Sequence, residues 1–247
     1  MRFRILISAV VFAMLCAVAV ASEPGFEITI PKTTSAPAID GVLDDAIWQA
    51  APTATVDNIN TGGKVEAPYV ATAMAAYDNS KLYVAFHNGE PNPGACTMTS
   101  PGHDVDVWRD DEIELFIEPA LAGAQPYYPI MIHAANVMQD DESGGAGAGW
   151  EPNLESAVQM GTDCWTIELS VPFSDLGVAA GSPDGQTWGW NFNRHIVTDI
   201  DVWVGWATTG ASFHTPERFG TLTFGEVLAA VHPSAKLTTC WGGIKQD

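Results

Sequence analysis

The chain has 247 residues, with 30 acidic side chains against 10 basic ones and a formal net charge of -20 at pH 7. That surplus repels nucleic-acid phosphates and anionic lipid headgroups alike, which leaves neutral or cationic partners, with neutral polysaccharide and divalent metal both fitting. Plain solubility of an exported protein accounts for the charge as well.

Arg2 and Arg4 precede an apolar stretch over residues 5–20 that closes on Ala19-Val20-Ala21, the pattern of a secretory signal cut after Ala21. Residues 1–21 are therefore expected to be a signal peptide and the mature protein to be secreted or periplasmic. Nothing later is apolar for long enough to cross a bilayer, so no membrane partner is expected. Cys96, Cys164 and Cys240 follow the cut, an odd number for an oxidising compartment, so at most one internal disulfide can form. Cys96 with Cys164 is a candidate pair, because both sit near candidate sheet edges.

From residue 22 onward, short alternating apolar runs are separated by Gly, Pro, Asn and Asp clusters, which predicts an all-β chain and a two-sheet antiparallel β-sandwich. The predicted strands are 26–30, 69–77, 82–87, 112–118, 128–134, 165–171, 187–197, 202–207 and 221–224. One domain over 22–225 is expected, with 226–247 as a tail or linker. A short helical turn is predicted near 44–50, capped by Asp44, with Ile47 and Trp48 plugging one end of the sandwich. Asp78-Asn79-Ser80 is turn chemistry between two alternating runs and predicts a hairpin. The glycine-rich stretch 143–149 lacks the lysine and the strand-to-helix context of a phosphate loop and reads as a flexible connection.

The run from Trp108 to Pro119 carries the chemistry. Trp108 stands among Asp104, Asp106, Arg109, Asp110 and Asp111, which places it in a surface loop. In the strand that follows, Ile113, Leu115 and Ile117 fall on one side, and Glu112, Glu114, Phe116 and Glu118 fall on the other. A flat aromatic beside carboxylates can hold a sugar: the ring covers the C–H face of a pyranose and the carboxylates accept its hydroxyl protons. Glu114 is the candidate acceptor, and Glu112 and Glu118 are read as solvent-facing charge. Most of the other tryptophans, including Trp165, Trp188 and Trp203, are expected to pack in the core or at edges. Asn191, Asn193 and His195 share one side of another strand, and two mid-strand amides point to a hydrogen-bonding surface or an internal amide network. His133 and His195 are candidates to point into a cleft.

No His-x-His pair, closely spaced zinc set or Gly-x-Ser-x-Gly elbow is present, so zinc and serine hydrolysis have no support. Asp104, Asp106, Asp110, Asp111, Asp199 and Asp201 could supply oxygen ligands to calcium, but none follows a dedicated loop pattern and the ligands stay unassigned. A catalytic pair of Asp111 and Glu114 is disfavoured, because residues i and i+3 on a strand point to opposite faces.

Several separated motifs together resemble carbohydrate-binding module family 9, of the DOMON-like sandwich superfamily. They are Ile39-Asp40-Gly41 leading to Ile47-Trp48; Tyr77-Asp78-Asn79 followed by Leu82-Tyr83-Val84-Ala85-Phe86; Trp108 to Pro119; Val171-Pro172-Phe173 with Leu176-Gly177; Trp190-Asn191-Phe192-Asn193-Arg194; and Phe213-His214-Thr215-Pro216-Glu217-Arg218-Phe219-Gly220. The resemblance covers about residues 36–224. It implies a noncatalytic module that binds plant polysaccharide such as xylan, cellulose or their chain ends in carbohydrate catabolism, with structural calcium and a glycoside hydrolase as a candidate partner. It also implies a pair of aromatics that clamp the terminal sugar, the first matching Trp108 and the second falling opposite Phe213. Glu114 matches a sugar-binding carboxylate, Asn193 an amide contact, and His133 joins them as a candidate hydroxyl partner. A basic contact on the strand 128–134 is replaced by Met131 or its neighbours. The alternative within the superfamily is noncovalent haem b in an electron-transfer module, with Met131, His133, His195 and His214 as candidate ligands.

Overall fold

The computed structural model describes residues 25–227, apart from 141, 147–148 and 179–180. The expected signal over 1–21 lies outside the described residues, as does the expected tail over 226–247 apart from residues 226–227, which end the last strand. Thirteen strands and one short α-helix follow in the order β1 (Glu27–Lys32), α1 (Ala46–Ala50), β2 (Thr53–Val56), β3 (Asn58–Ile59), β4 (Ala71–Tyr77), β5 (Lys81–Gly89), β6 (Glu112–Glu118), β7 (Tyr128–His133), β8 (Met138–Asp140), β9 (Glu155–Met160), β10 (Cys164–Pro172), β11 (Thr187–Ile196), β12 (Val202–Gly205) and β13 (Gly220–Val227). Every predicted strand is present. The four additions, β2, β3, β8 and β9, are short or lack buried apolar residues, as β9 does entirely.

The strands pair in the order β8-β7-β6-β11-β13-β1-β4-β5-β10-β9, with β12 and β3 continuing from β11 and β2 from β4. The fold is an all-β sandwich whose two layers are halves of one curled sheet. They are joined through β13, β1 and β4, where the β1–β13 and β1–β4 pairings are parallel. Period-two alternation fills the space between the layers with Val84, Phe86, Leu115, Ile167, Trp188 and Phe192, all fully buried. Each such side chain stabilises the fold by about 1.5–3 kcal/mol through burial alone. Trp165 and Trp188 are core, as expected.

One charged pair crosses this core. Arg194 donates to the carbonyls of Tyr69 (3.1 Å) and Gly89 (2.8 Å) and pairs with Glu90 at 3.2 Å, both side chains being fully buried. Removing either partner would strand the other charge, at a cost of about 3–5 kcal/mol.

The hairpin at Asp78 forms as expected, with the Asp78 carboxylate accepting the Ser80 and Lys81 N–H groups at 2.7 and 2.8 Å. Three expectations are corrected. The cap position of α1 is Asp45, whose carboxylate accepts the Ala38 N–H at 2.9 Å instead of capping the helix by its side chain. Ile47 and Trp48 pack with Leu43, Met74, Ala76, Tyr83 and Ala85, on the outer face of β4 and β5 and not at an end of the sandwich. Trp48 is held there by Glu168, a buried carboxylate that accepts its indole N–H at 2.5 Å and the N–H groups of Asp40 (3.1 Å) and Gly41 (2.8 Å). Burial pushes the Glu168 carboxyl up to about 7 against those hydrogen bonds. Cys96 and Cys164 do not pair: Cys96 is a free buried thiol and Cys164 is disulfide-bonded elsewhere.

Candidate functional site

β6 lies between β7 and β11, with Glu114 opposite Met131 on one side and Asn193 on the other. Ile113, Leu115 and Ile117 enter the core, so Glu112, Glu114, Phe116 and Glu118 take the outer face. That face is not solvated. Glu112 and Glu118 are fully buried and Glu114 is 3% exposed, and beside them Phe213 and Phe219 pack over Phe116 and Tyr127. The expectation of solvent-facing charge fails because alternation cannot show that a later segment of chain closes over the polar side of a strand.

A cleft of about 840 Å³ opens over this face, lined by Trp108, Trp203, Glu114, Met131, Phe213, Tyr127, Gln125, Ser143, His214, Gln139, Asp201, Asn60 and Thr61 among others. Trp108 rides on a 3-10 turn, Val107–Arg109, whose Val107 is fully buried as an anchor and donates its N–H to Gln139 Oε1 at 2.9 Å. The Trp108 carbonyl faces His195 Nδ1 at 3.0 Å, which pins the turn to β11. Its indole is 39% exposed, with the Arg109 guanidinium 4.6 Å from the ring centre. Asp110 and Asp111 hold the base of the turn. Asp110 accepts from Thr99 and Ser100, and Asp111 accepts from Thr97, Val197 and Thr198. Both oxygens of each carboxylate are thereby used, which leaves Asp111 no part in a catalytic pair.

The ring stacked against Trp108 is Trp203, at 6.5 Å between centroids and 28° between planes. Trp203 in turn lies flat on His195 at 3.6 Å and meets the edge of Phe213 at 5.7 Å. Trp203, expected in core or edge packing, is a cleft residue. Its neighbour Val204 takes the core side of β12, so alternation turns Trp203 outward. Phe213 lines the cleft as a buttress beneath Trp203, 5% exposed, within a cluster of Phe116, Tyr127 and Phe219. A sugar ring held between two aromatic planes needs about 7–8 Å between them, two carbon contacts of 3.5–4.0 Å. With centroids 6.5 Å apart and planes 28° from parallel, the indoles form a tilted double platform.

Of the two strand amides, Asn191 is structural: it donates to the Ala207 carbonyl at 3.2 Å and accepts the Ala207 N–H at 2.9 Å. Asn193 is fully buried, and neither its amide nitrogen nor its oxygen has a hydrogen-bond partner among the described residues. His133 shares this face but does not line the cleft. It is 2% exposed, accepts the Ala135 N–H at 2.9 Å on Nδ1 and places Nε2 4.0 Å from Asp110. Burial holds its pKa below the usual imidazole value, against the Asp110 charge. Trp108, Glu114 and Phe213 therefore meet in the cleft, Asn193 lies beside Glu114 in the strand pairing, and His133 stands outside.

Sequence reading missed Trp203, Tyr127, Gln125, Ser143 and Gln139 as cleft residues. The glycine-rich stretch contributes one of them. It opens with a 3-10 turn, Glu142–Gly144, in which the Gly144 carbonyl accepts the Tyr127 N–H at 2.8 Å and Ser143 faces the cleft. A Cβ at Gly144 would sit 2.2 Å from the Tyr127 carbonyl oxygen, so only glycine fits.

For haem, Met131 and His214 line the cleft, while His195 offers no iron ligand, since each ring nitrogen faces an acceptor, Trp108 O at 3.0 Å and Asp201 at 3.1 Å. Potential metal ligands converge within 4.8 Å in two places among the described residues. Glu90, Cys96 and Asp111 form a buried knot already tied by Arg194 and backbone donors. His103, Asp104, Asp140 and Glu151 form the other, where three carboxylates suit a hard cation and the imidazole does not.

The family model described as carbohydrate family 9 binding domain-like matches residues 39–226. The chain belongs to that family. Two solved structures of carbohydrate-binding module family 9 modules from Caldicellulosiruptor kristjanssonii share its fold. One, in complex with glucose, is 17% identical with a TM-score of 0.63 and matches over 84% of this chain and 100% of its own. The other, in complex with cellotriose, is 16% identical with a TM-score of 0.61 over 85% of this chain and 99% of its own. No curated protein matches the chain.

Proposed function

We propose that this family 9 chain is a secreted, noncatalytic carbohydrate-binding module that recognises plant-type polysaccharide, xylan, cellulose or their chain ends, in carbohydrate catabolism. The observation that carries the reading is the Trp108–Trp203 double platform over a cleft lined by the Glu114 carboxylate. Indole faces pack against the C–H groups of a pyranose, and carboxylate and amide groups bind its hydroxyls. Trp108 and Trp203 stack, Glu114 accepts, Asn193 supports from the adjoining strand, and Phe213 holds Trp203 in place. Family membership and the sugars bound by the two related folds, cellotriose in one and glucose in the other, support carbohydrate as the ligand class. A glycoside hydrolase partner belongs to this reading, delivered to its substrate by the module.

Trp108→Ala is expected to abolish retention on insoluble xylan and cellulose while the thermal midpoint stays nearly unchanged, since the ring is 39% exposed. Retention at the wild-type level removes Trp108 from the site. Calcium enters as a structural ion that Asp104, Asp140 and Glu151 would hold, relieving the mutual repulsion of three clustered carboxylates. Chelator is then expected to lower the midpoint, and an unchanged midpoint discards the ion.

A further inference from the structure

His195 touches both halves of the double platform. Its imidazole lies flat against the Trp203 indole, 3.6 Å between centroids and 14° between planes, and its Nδ1 stands 3.0 Å from the Trp108 carbonyl oxygen. Nε2 stands 3.1 Å from the carboxylate of Asp201, in the loop that enters β12 two residues before Trp203. A carbonyl and a carboxylate only accept hydrogen bonds, and a neutral imidazole carries one N–H. A neutral ring therefore satisfies one of these partners and turns a lone pair toward the other. Both contacts are hydrogen bonds only when each ring nitrogen bears a proton, so the geometry is that of an imidazolium. A cation lying on the face of Trp203 is also attracted by the indole quadrupole.

The groups packed around the ring favour a positive charge. From β6, the Glu112 carboxyl accepts the His195 backbone N–H at 3.1 Å, and Asp111 accepts from Val197 and Thr198 just beyond. From the loop between β11 and β12 come Asp201 and Asp199, the latter accepting the Tyr69 hydroxyl at 3.3 Å. The turn that carries Trp108 supplies one cation, Arg109, whose guanidinium lies 4.6 Å from the Trp108 ring centre and 3.7 Å from Asp106. On the far side of Glu112, β7 sets His133 4.0 Å from Asp110. β12 presents Trp203 to the ring and carries no charged side chain.

We infer that His195 is a positioning residue for the cleft and works as an imidazolium: one proton holds the Trp108 turn, the other holds the Asp201 loop, and the ring supports Trp203 between them. When pH rises through the titration of this ring, one nitrogen is left facing an acceptor without a proton. The turn or the loop is then released, and the two indoles lose their common support. Sugar affinity is full on the acid side of that titration and falls on its basic side. This consequence for sugar rests on the reading of the cleft given above.

Nitrogen-15 NMR of protein labelled at histidine reads the ring directly. The His195 signals, identified by their absence from His195 variants, are expected to show a proton on both nitrogens wherever cellotriose binding is at full strength. A single N–H under those conditions overturns the proposal. Cellotriose titration calorimetry over about pH 5 to 8, spanning the ordinary imidazole value of about 6.5, tests the positioning. Wild type is expected to lose affinity in step with the second ring proton. His195→Phe keeps a flat ring against Trp203 but donates nothing, and it is expected to bind about tenfold more weakly or worse and without that decline. His195→Asn sets an amide N–H where Nδ1 stands and is expected to recover part of the affinity, also without the decline. Binding by His195→Phe at the wild-type level, or with the wild-type decline intact, overturns the positioning role. If the His195 variants do not fold, Asp201→Asn decides, since that side chain is 79% exposed. The amide in its place can accept from Nε2–H or, turned over, donate to a bare Nε2, so the decline is expected to vanish, and a profile identical to wild type overturns the proposal. Failure of wild type to bind cellotriose, with both ring nitrogens protonated, defeats the sugar reading of the cleft and leaves the imidazolium standing.

Discussion

Asn191 and Asn193 occupy one face of one strand and are both fully buried, yet their hydrogen bonding separates them. Asn191 closes a two-bond link to Ala207, so Asn191→Ala leaves the Ala207 N–H and carbonyl unpaired in the interior. A loss of about 1–3 kcal/mol is expected, read as a lowered denaturant midpoint. Asn193 already bears the cost of an unbonded amide. Asn193→Ala is expected to stay within about 1 kcal/mol of wild type in stability, because relief of that cost offsets the small cavity, and to weaken retention on xylan or cellulose. A strong stability loss with unaltered retention would make Asn193 an internal packing residue.

At the scale of elements, the second indole is delivered by β12, which pairs with β11 so that Trp203 registers opposite His195 and Gly205 opposite Asn193. Gly205 permits that approach: a Cβ there would stand 2.8 Å from both the Ala207 carbonyl and the Asn193 side chain. Gly205→Val is expected to push β12 off β11, with overpacking costing about 1–3 kcal/mol. Trp203 should move with the strand, so retention falls together with the melting midpoint, and tryptophan near-ultraviolet dichroism checks the change. An intact dichroism signal would show that β12 is held by its other partner, β3.

For the molecule as a whole, the buried carboxyls set the response to pH. Glu168 anchors Trp48 and the Asp40-Gly41 turn to β10, and burial raises its pKa to about 7. The unfolded chain releases this proton near the ordinary value of about 4.3, so between that pH and about 7 the folded state holds more protons. Stability from this group is then present at the acid end of the window and declines as pH rises through it. Glu168→Gln does not titrate. The midpoint difference between wild type and Glu168→Gln is expected to shrink from about pH 5 to about pH 8 by calorimetry, and a widening difference would show that the three hydrogen bonds dominate burial.

The sandwich was legible in the sequence because each strand writes its core face locally, as Ile113, Leu115 and Ile117 do, and side-chain alternation has a period of two whatever the partner strand. Trp108 was legible as exposed from Asp104, Asp106 and Arg109, which stay at the surface, although Asp110 and Asp111 are buried among hydrogen-bond donors that the local sequence does not reveal. The outer face was not legible. Glu112 and Glu118 read as solvent-facing charge, and only the tertiary structure shows both fully buried, with Phe213 and Phe219 returning over Phe116 on the same face. For the same reason Trp203 read as packing: its place opposite Trp108 depends on a pairing between β11 and β12 and on the path of the Trp108 turn. Local alternation decides which residues share a face, whereas what lies against that face depends on chain segments remote in sequence, and only the tertiary structure brings them together.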